Sequence, residues 1–286
     1  MSNTVHSIQM KLKQLSKIQK KNHQLTLTRY FQERLLYRLS KSEFRNNFFL
    51  KGGALIYALE QEASRPTLDI DLLAKKVRID NQSISNIFQK VCSIEYPDDG
   101  IVFKTAEIET TEIVKEEKYS GIRVKIPVTL GKIKQRMQID IGFGDTIVPA
   151  PVLMDYPSLL GMEHPNIYAY SVESLVAEKF EAMIDLAELN SRMKDFYDIY
   201  KILRRAGYDK AILEIAIATT IKQRETILPK VHPIFTEEFA NDKLRNLQWK
   251  NFLRKTSLRE EISFPKVMNL ITTKLKPIYE TIQNQH

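Results

Sequence analysis

The sequence predicts an α+β fold: a strand-rich stretch set among helical segments, followed by a helical C-terminal half. Three observations predict it. Between Ile101 and Phe143, apolar and polar residues alternate in short runs, the period of half-buried strands. Across 7–40 and again beyond Ser171, apolar positions instead recur every three to four residues, as on amphipathic helices. Between the first helices and the strands, a glycine pair and an Asp-x-Asp pair share one compact apolar unit, and the rest of the chain is organised around it.

A chain of 286 residues holds one large or two modest domains. Pro149, Pro151 and Pro157 mark an irregular connector. We therefore expect a core with a basic helical N-terminal arm over 1–165 and a helical domain over 166–286. Hydrophobic content of 43% and charged content of 27% are those of a soluble globular protein. No apolar run approaches the roughly 20 residues that cross a bilayer. The basic start is not followed by the roughly 7–15-residue apolar core of a signal peptide. Neither a membrane partner nor a leader is expected. Cys92 is the only cysteine, which excludes an internal disulfide and a cysteine-cluster zinc site and fits a reducing cytoplasm. His6, His23, His164, His232 and His286 show no metal-ligand spacing. The net charge is +8, and residues 1–45 carry all of it, with ten Lys/Arg against Glu33 and Glu43. Such an arm suits a polyanionic partner, although a solvated helix face would read the same way.

In chain order, residues 7–22 read as a lysine-rich helix with Ile8, Leu12, Leu15 and Ile18 on one side, and 26–40 as a second helix. Phe48 to Leu50 is a short strand that delivers the chain to Lys51, Gly52 and Gly53. Two glycines let backbone N–H groups approach an anion closely, and the helix that follows, roughly 54–60, adds the positive end of its dipole. Arg65-Pro66-Thr67-Leu68-Asp69-Ile70-Asp71-Leu72 then reads as a loop and strand. Residues i and i+2 of a strand share a face, so Asp69 and Asp71 project together while Leu68, Ile70 and Leu72 point into a core. Two adjacent carboxylates repel, and one pKa rises unless a cation sits between them; a divalent metal with oxygen ligands resolves the repulsion.

Residues 80–92 are helical in pattern, with Ile84, Ile87, Phe88 and Val91 inward, and Asp98-Asp99-Gly100 is a turn. Strands are expected at 101–103, 108–114 and 122–128, with Glu107, Glu109, Glu112, Glu116 and Glu117 solvated on a wet face. The strand 136–143 ends the sheet region. Met137, Ile139, Ile141 and Phe143 share one of its faces and Asp140 takes the other, where it can join Asp69 and Asp71. Three carboxylates are what a two-metal phosphoryl-transfer site needs. Asp145, after Gly144, reads as a turn residue. Ser171 is the natural N-cap of a helix running to Ala187, and Ser191 of a second over 192–204. On the second, Asp195 and Asp198 share a face. Lys179, near the apolar stripe of the first, is either their structural ion-pair partner or a ligand of nucleotide phosphates. Residues 210–286 are helical in pattern and basic towards the end, with Lys250, Arg254, Lys255, Arg259, Lys266, Lys274 and Lys276, and with Trp249 and Phe252 in that stretch.

Four blocks carry a family resemblance. They are Lys51-Gly52-Gly53 through Arg65-Pro66-Thr67-Leu68-Asp69-Ile70-Asp71, Gln138-Ile139-Asp140-Ile141-Gly142-Phe143-Gly144-Asp145, Tyr170 through Ala182, and Arg192-Met193-Lys194-Asp195-Phe196-Tyr197-Asp198-Ile199. In this order, over roughly 48–205, they resemble the AbiEii/MenT nucleotidyltransferase-like toxins of the DNA polymerase β superfamily. More distant members have Gly-Ser where this chain has Gly52-Gly53. The resemblance implies a small mixed β-sheet nucleotidyltransferase core with flanking helices plus a helical C-terminal domain. It implies Mg²⁺, or Mn²⁺, on Asp69 and Asp71, with Asp140 as the third candidate ligand. It gives Lys179 to the nucleotide and Asp195, less surely Asp198, as a further carboxylate, so that Asp69, Asp71, Lys179 and Asp195 form the catalytic set. Lys51, Gly52, Gly53, Arg65, Thr67, Lys179 and Asp198 form the expected nucleotide-binding set. The implied role is the toxin of a toxin–antitoxin or abortive-infection pair, transferring nucleotides from an NTP to the 3′ end of tRNA, with a cognate antitoxin protein as partner. Nucleotidylylation of a protein target and a non-catalytic nucleotide- or RNA-binding module are the alternatives.

Overall fold

The computed structural model describes residues 3–115, 119–205, 207–256, Leu258 and 261–285. The chain divides into two units, Met1–Gly144 with Pro151–Ala169, and Asp145–Ala150 with Tyr170–His286.

The first unit is built on a mixed sheet. Its strands are β1 (Phe48–Lys51), β2 (Asp69–Ala74), β3 (Ile101–Phe103), β4 (Glu109–Lys115), β5 (Tyr119–Leu130), β6 (Ile133–Phe143), β7 (Val152–Asp155) and β8 (Asn166–Ala169). They run in the order β3-β5-β6-β2-β1-β8-β7, with β4 also paired to β5. The central pairs are β1 antiparallel to β2 and β2 parallel to β6. Alternation along the strands sends Ile70, Leu72, Ile122, Val124, Ile126, Met137, Ile139 and Ile141 to a buried face. Helices α2 (His23–Lys41) and α4 (Asn81–Cys92) cover that face. Gln135 on β6 donates to Thr28 Oγ1 of α2 at 2.7 Å, and Phe88 of α4 meets Phe48 of β1 edge-on at 5.6 Å. Helix α1 (Asn3–Ile18) lies outside α2 on the same side, where Gln9 donates to the Leu130 carbonyl. Helix α3 (Gly52–Glu60) follows β1 directly.

Several expectations change here. Leu68 is 68% exposed, not inward, because the strand begins only at Asp69. Ile18 is 69% exposed, because α1 ends on it. The N-terminal arm is also less basic outside than its composition suggests. Every residue of α2 from Leu25 to Ser40 is buried, Arg29, Arg34 and Arg38 included. Arg38 takes the buried Asp99 carboxylate at 2.6 and 3.3 Å, and Arg34 pairs with Glu33 at 2.7 Å. Those cations are balanced inside the unit, as buried charges must be. The outward charge is that of Lys11, Lys13, Lys17 and Lys20 on and just after α1, with Lys41 exposed beside Glu163 at the end of α2. The sheet also does not end at β6. Strand β8 joins β1 in parallel and β7 pairs with β8, in a stretch whose prolines read as a connector. Glu116 and Glu117 lie outside the described residues.

The second unit is helical: α5 (Val172–Leu186), α6 (Met193–Arg204), α7 (Lys210–Arg224), α8 (Glu237–Asn241), α9 (Lys243–Lys255) and α10 (Phe264–Gln285). Ser171 caps α5 through its Oγ, which accepts from Ser174 N at 3.1 Å. Ser191 does not cap α6. The helix starts from Arg192 without a side-chain cap, and Asn190 Oδ1 takes the Arg192 N–H at 2.8 Å. Asn190 forms this local turn more readily because its amide oxygen reaches the backbone two residues on. An aromatic core of Phe196, Tyr197, Phe239, Trp249 and Phe264 ties α6, α8, α9 and α10 together. No helix among the described residues is long and apolar enough to cross a membrane.

Candidate active site

Four neighbouring strands place one row of charges side by side. The registers Lys51↔Asp71, Asp71↔Asp140 and Arg123↔Asp140 align a cation, two anions and a cation across β1, β2, β6 and β5. Paired residues point to one face, the face opposite the buried core, and Asp69 joins them two residues before Asp71. Carboxylate oxygens of Asp69, Asp71 and Asp140 all lie within 4.8 Å of one another. Three hard oxygen donors without histidine or cysteine suit Mg²⁺ or Mn²⁺ rather than zinc.

The glycines belong to this geometry. Gly52 has φ +62°, and a Cβ there would sit 2.0 Å from Asp71 Oδ2. A Cβ on Gly53 would sit 2.5 Å from Thr67 Oγ1. The first turn of α3 therefore packs its bare backbone against the acids, and Gly53 N–H points at Asp71 Oδ2 from 3.4 Å. Thr67 Oγ1 donates to Asp69 Oδ1 at 2.9 Å, so here it orients a carboxylate. Lys51 Nζ lies over Gly142, whose Cβ, if present, would be 3.5 Å away. The Arg65 side chain is buried, and its Nη1 donates to the Pro66 carbonyl at 3.2 Å.

Arg123 is the member of the site that sequence reading missed. It holds Asp140 by two parallel bonds, Nε to Oδ1 and Nη2 to Oδ2, each 2.8 Å. Bonding to Asp140 pushes the Arg123 pKa above its usual value, with the Asp69 and Asp71 charges adding to it. Gln138 adds a longer bond to Asp140 Oδ1 at 3.3 Å. The signal was present in the alternation of β5, where Gly121, Arg123 and Lys125 oppose Ile122, Val124 and Ile126. Arg123→Gln strips the largely buried Asp140 of its bidentate partner. The metal-free protein is expected to lose about 2 kcal/mol of stability, the cost of leaving a buried acceptor poorly satisfied. A divalent ion should restore the loss, so melting curves with EDTA and with Mn²⁺ check it. A variant that melts as the wild type in EDTA assigns the pair no such role.

The second unit carries the other candidates. Lys179 of α5 donates to Asp195 Oδ1 at 2.6 Å and pairs with Asp198 Oδ2 at 2.9 Å, all three buried. Both carboxylates reach it because residues three apart share a helix face. Thus Lys179 engages both acids of α6. Asp145, expected as a plain turn residue, instead pairs with Arg224 at 3.1 Å. The same guanidinium bonds Glu178 and Glu181. Lys179, Asp195 and Asp198 belong to the second unit, Lys51, Gly52, Gly53, Arg65, Thr67 and the clustered acids Asp69, Asp71 and Asp140 to the first.

Among solved structures, the chain is similar to a proposed nucleotidyltransferase from H. pylori, at 12% identity over 88% of this chain and 94% of the other, with a TM-score of 0.49. A second Helicobacter pylori protein matches at 14% identity over 88% and 90%, with a TM-score of 0.46. An antigenic nucleotidyltransferase-like protein from Paracoccidioides brasiliensis matches at 14% identity over 67% and 88%, with a TM-score of 0.39. No curated protein matches. The family model of the nucleotidyl transferase AbiEii toxin of type IV toxin–antitoxin systems matches residues 34–270. With that match over most of its length, the chain belongs to the AbiEii nucleotidyl transferase toxin family and is a nucleotidyltransferase.

Proposed function

We propose that this nucleotidyltransferase is the toxin of a bacterial toxin–antitoxin or abortive-infection pair, and that it transfers nucleotides from an NTP to the 3′ end of tRNA and so blocks translation. The observation that carries the reading is the convergence of Asp69, Asp71 and Asp140 beside the bare backbone of Gly52 and Gly53. In the reaction an acceptor hydroxyl oxygen bonds to the α-phosphorus of the NTP and pyrophosphate leaves. Asp69, Asp71 and Asp140 would hold Mg²⁺ or Mn²⁺. When bound, the ion supplies the positive charge that the triphosphate and its leaving group require.

The chain's own groups do the rest. Thr67 fixes the Asp69 carboxylate, and Arg123 fixes Asp140. The positive end of α3 at Gly52, with Lys51 beside it, is assigned to the phosphates, while Gly53 N–H is turned to Asp71. Lys179 with Asp195, and Arg65 with Asp198, are assigned to the nucleotide and its transfer on the family resemblance. The excess of cations supports a polyanionic acceptor over a protein one. A protein antitoxin completes the pair. Incubating the protein with total tRNA and each labelled NTP in turn, with Mg²⁺ or with EDTA, tests the proposal. Label from one NTP should enter tRNA only with metal. Label on protein instead, or none on tRNA with any NTP, rejects the tRNA acceptor.

A further inference from the structure

The face of the sheet that bears the acids does not stop at them. Strands β5 and β6 form a hairpin whose registers, Arg123↔Asp140, Lys125↔Gln138, Pro127↔Arg136 and Thr129↔Lys134, keep Arg123, Lys125, Arg136 and Lys134 on the acids' side. Lys132 follows in the turn, after Gly131 at φ +59°. The opposite face of the same hairpin is the buried one, with Ile122, Val124, Ile126, Val128, Met137 and Ile139. Lys132, Lys134 and Arg136 are exposed, and Arg123 and Lys125 are half-buried. Among the described residues of that face, Glu109 opposes them, across from Lys125 and paired to Arg136 at 3.2 Å. Lys134 lies six positions before Asp140, about 20 Å at the rise of a strand. Each cross-strand pair from Arg123 to Lys134 contributes one cation, Arg123 lying on Asp140 and Arg136 on Glu109.

We infer that this open face of the β5–β6 hairpin is the track along which the single-stranded 3′ end of an RNA acceptor reaches the Asp69–Asp71–Asp140 site. The inference rests on the RNA-acceptor reading and says where the acceptor is gripped. Two observations favour a nucleic-acid strand over an acidic protein surface. The track runs without interruption into the carboxylates through Arg123, as the path of a strand whose reacting atom is its last must do. Its cations recur once per cross-strand pair, a spacing that a backbone with one charge per repeat can follow. The lysines of α1 do not share this position. Val5 and Ile8 of α1 pack beside Leu130, whose side chain belongs to the buried face, so α1 lies behind the sheet, away from the acids.

The test compares two triple variants, Lys125→Gln/Lys132→Gln/Lys134→Gln on the hairpin and Lys13→Gln/Lys17→Gln/Lys20→Gln on α1. Binding of a short fluorescein-labelled single-stranded RNA is followed by anisotropy over a range of salt. Each phosphate contact on single-stranded RNA contributes about 0.7 to the slope of log affinity against log salt. The hairpin variant should lose about 2 from that slope, bind RNA at least roughly tenfold more weakly at low salt, and raise the KM for tRNA. Its Mn²⁺ affinity, NTP KM and melting curve should stay those of the wild type, and the α1 variant should keep the wild-type slope. A wild-type slope in the hairpin variant, with the loss in the α1 variant instead, overturns the track. Equal weakening of poly-L-glutamate binding also overturns it, because the face then takes any polyanion, an acidic protein included. If the wild type neither binds the RNA nor labels tRNA, the RNA-acceptor reading falls and the track falls with it.

Discussion

Asp71→Ala is expected to abolish nucleotidyl transfer and leave the protein folded, and Asp69→Ala to do the same. Each carboxylate lies within 4.8 Å of two others, so deleting one relieves repulsion in the metal-free state. Asp71 receives the 3.4 Å approach of Gly53 N–H, and Asp69 the Thr67 bond of 2.9 Å. On the proposed reading, what disappears is one of three candidate oxygen donors for a divalent ion, whose stabilisation of developing charge is worth several kcal/mol. A loss of roughly 10³-fold or more in kcat/KM follows, at about 1.4 kcal/mol per tenfold. Asp71→Asn sharpens the case, because it keeps the shape and removes only the charge. Activity with labelled NTP, Mn²⁺ binding by paramagnetic resonance and a thermal melt report the three quantities separately. Near-normal activity with intact metal dependence in either alanine variant would remove these residues from the metal site. Unfolding without metal would show that the acids stabilise the fold instead.

Lys179→Ala is expected to cost stability as well as activity. Its ammonium is enclosed with Asp195 and Asp198 at 2.6 and 2.9 Å, and removing it takes the neutralising cation from two buried carboxylates on α6. Breaking a buried ion pair in this way costs about 3–5 kcal/mol, which a urea or thermal melt reads directly. Charge balance offers the control. Lys179→Met combined with Asp198→Asn removes the cation and one anion together and should regain part of the loss, because only Asp195 is then left without the lysine. Nucleotide binding is then measured on that stable protein. Weak NTP binding in the folded double variant supports a contact between Lys179 and the phosphates. Wild-type NTP affinity in it would make the lysine a structural partner alone.

Much of the candidate site is legible in the sequence, because it depends on local periodicity. The two-residue period of a strand puts Asp69 and Asp71 on one side whatever the strand pairs with, and the same parity sends Asp140 away from Met137, Ile139 and Ile141. The cap at Ser171 depends on a hydroxyl that reaches a backbone N–H three residues on. The α+β class and the helical C-terminal half likewise follow from apolar spacing alone.

What the tertiary structure decided are the meetings between segments far apart in the chain. Parity tells that Asp140 faces away from the core, but only the parallel register of β2 with β6 sets it beside Asp71 rather than two residues along. Arg123 is one cation among many in the sequence, and its assignment to Asp140 exists only through the β5–β6 register. The charges of Arg29, Arg34 and Arg38 look outward in a composition count, yet folding buries them, with Arg38 on Asp99 and Arg34 on Glu33. Strand β8 escaped notice because four residues carry too little pattern, and β1 supplies the pairing that makes them a strand. Local sequence dictates which way a side chain points along its own element. Which partner it meets there depends on how distant elements pair and pack, and a single residue's shift in register would change every such meeting.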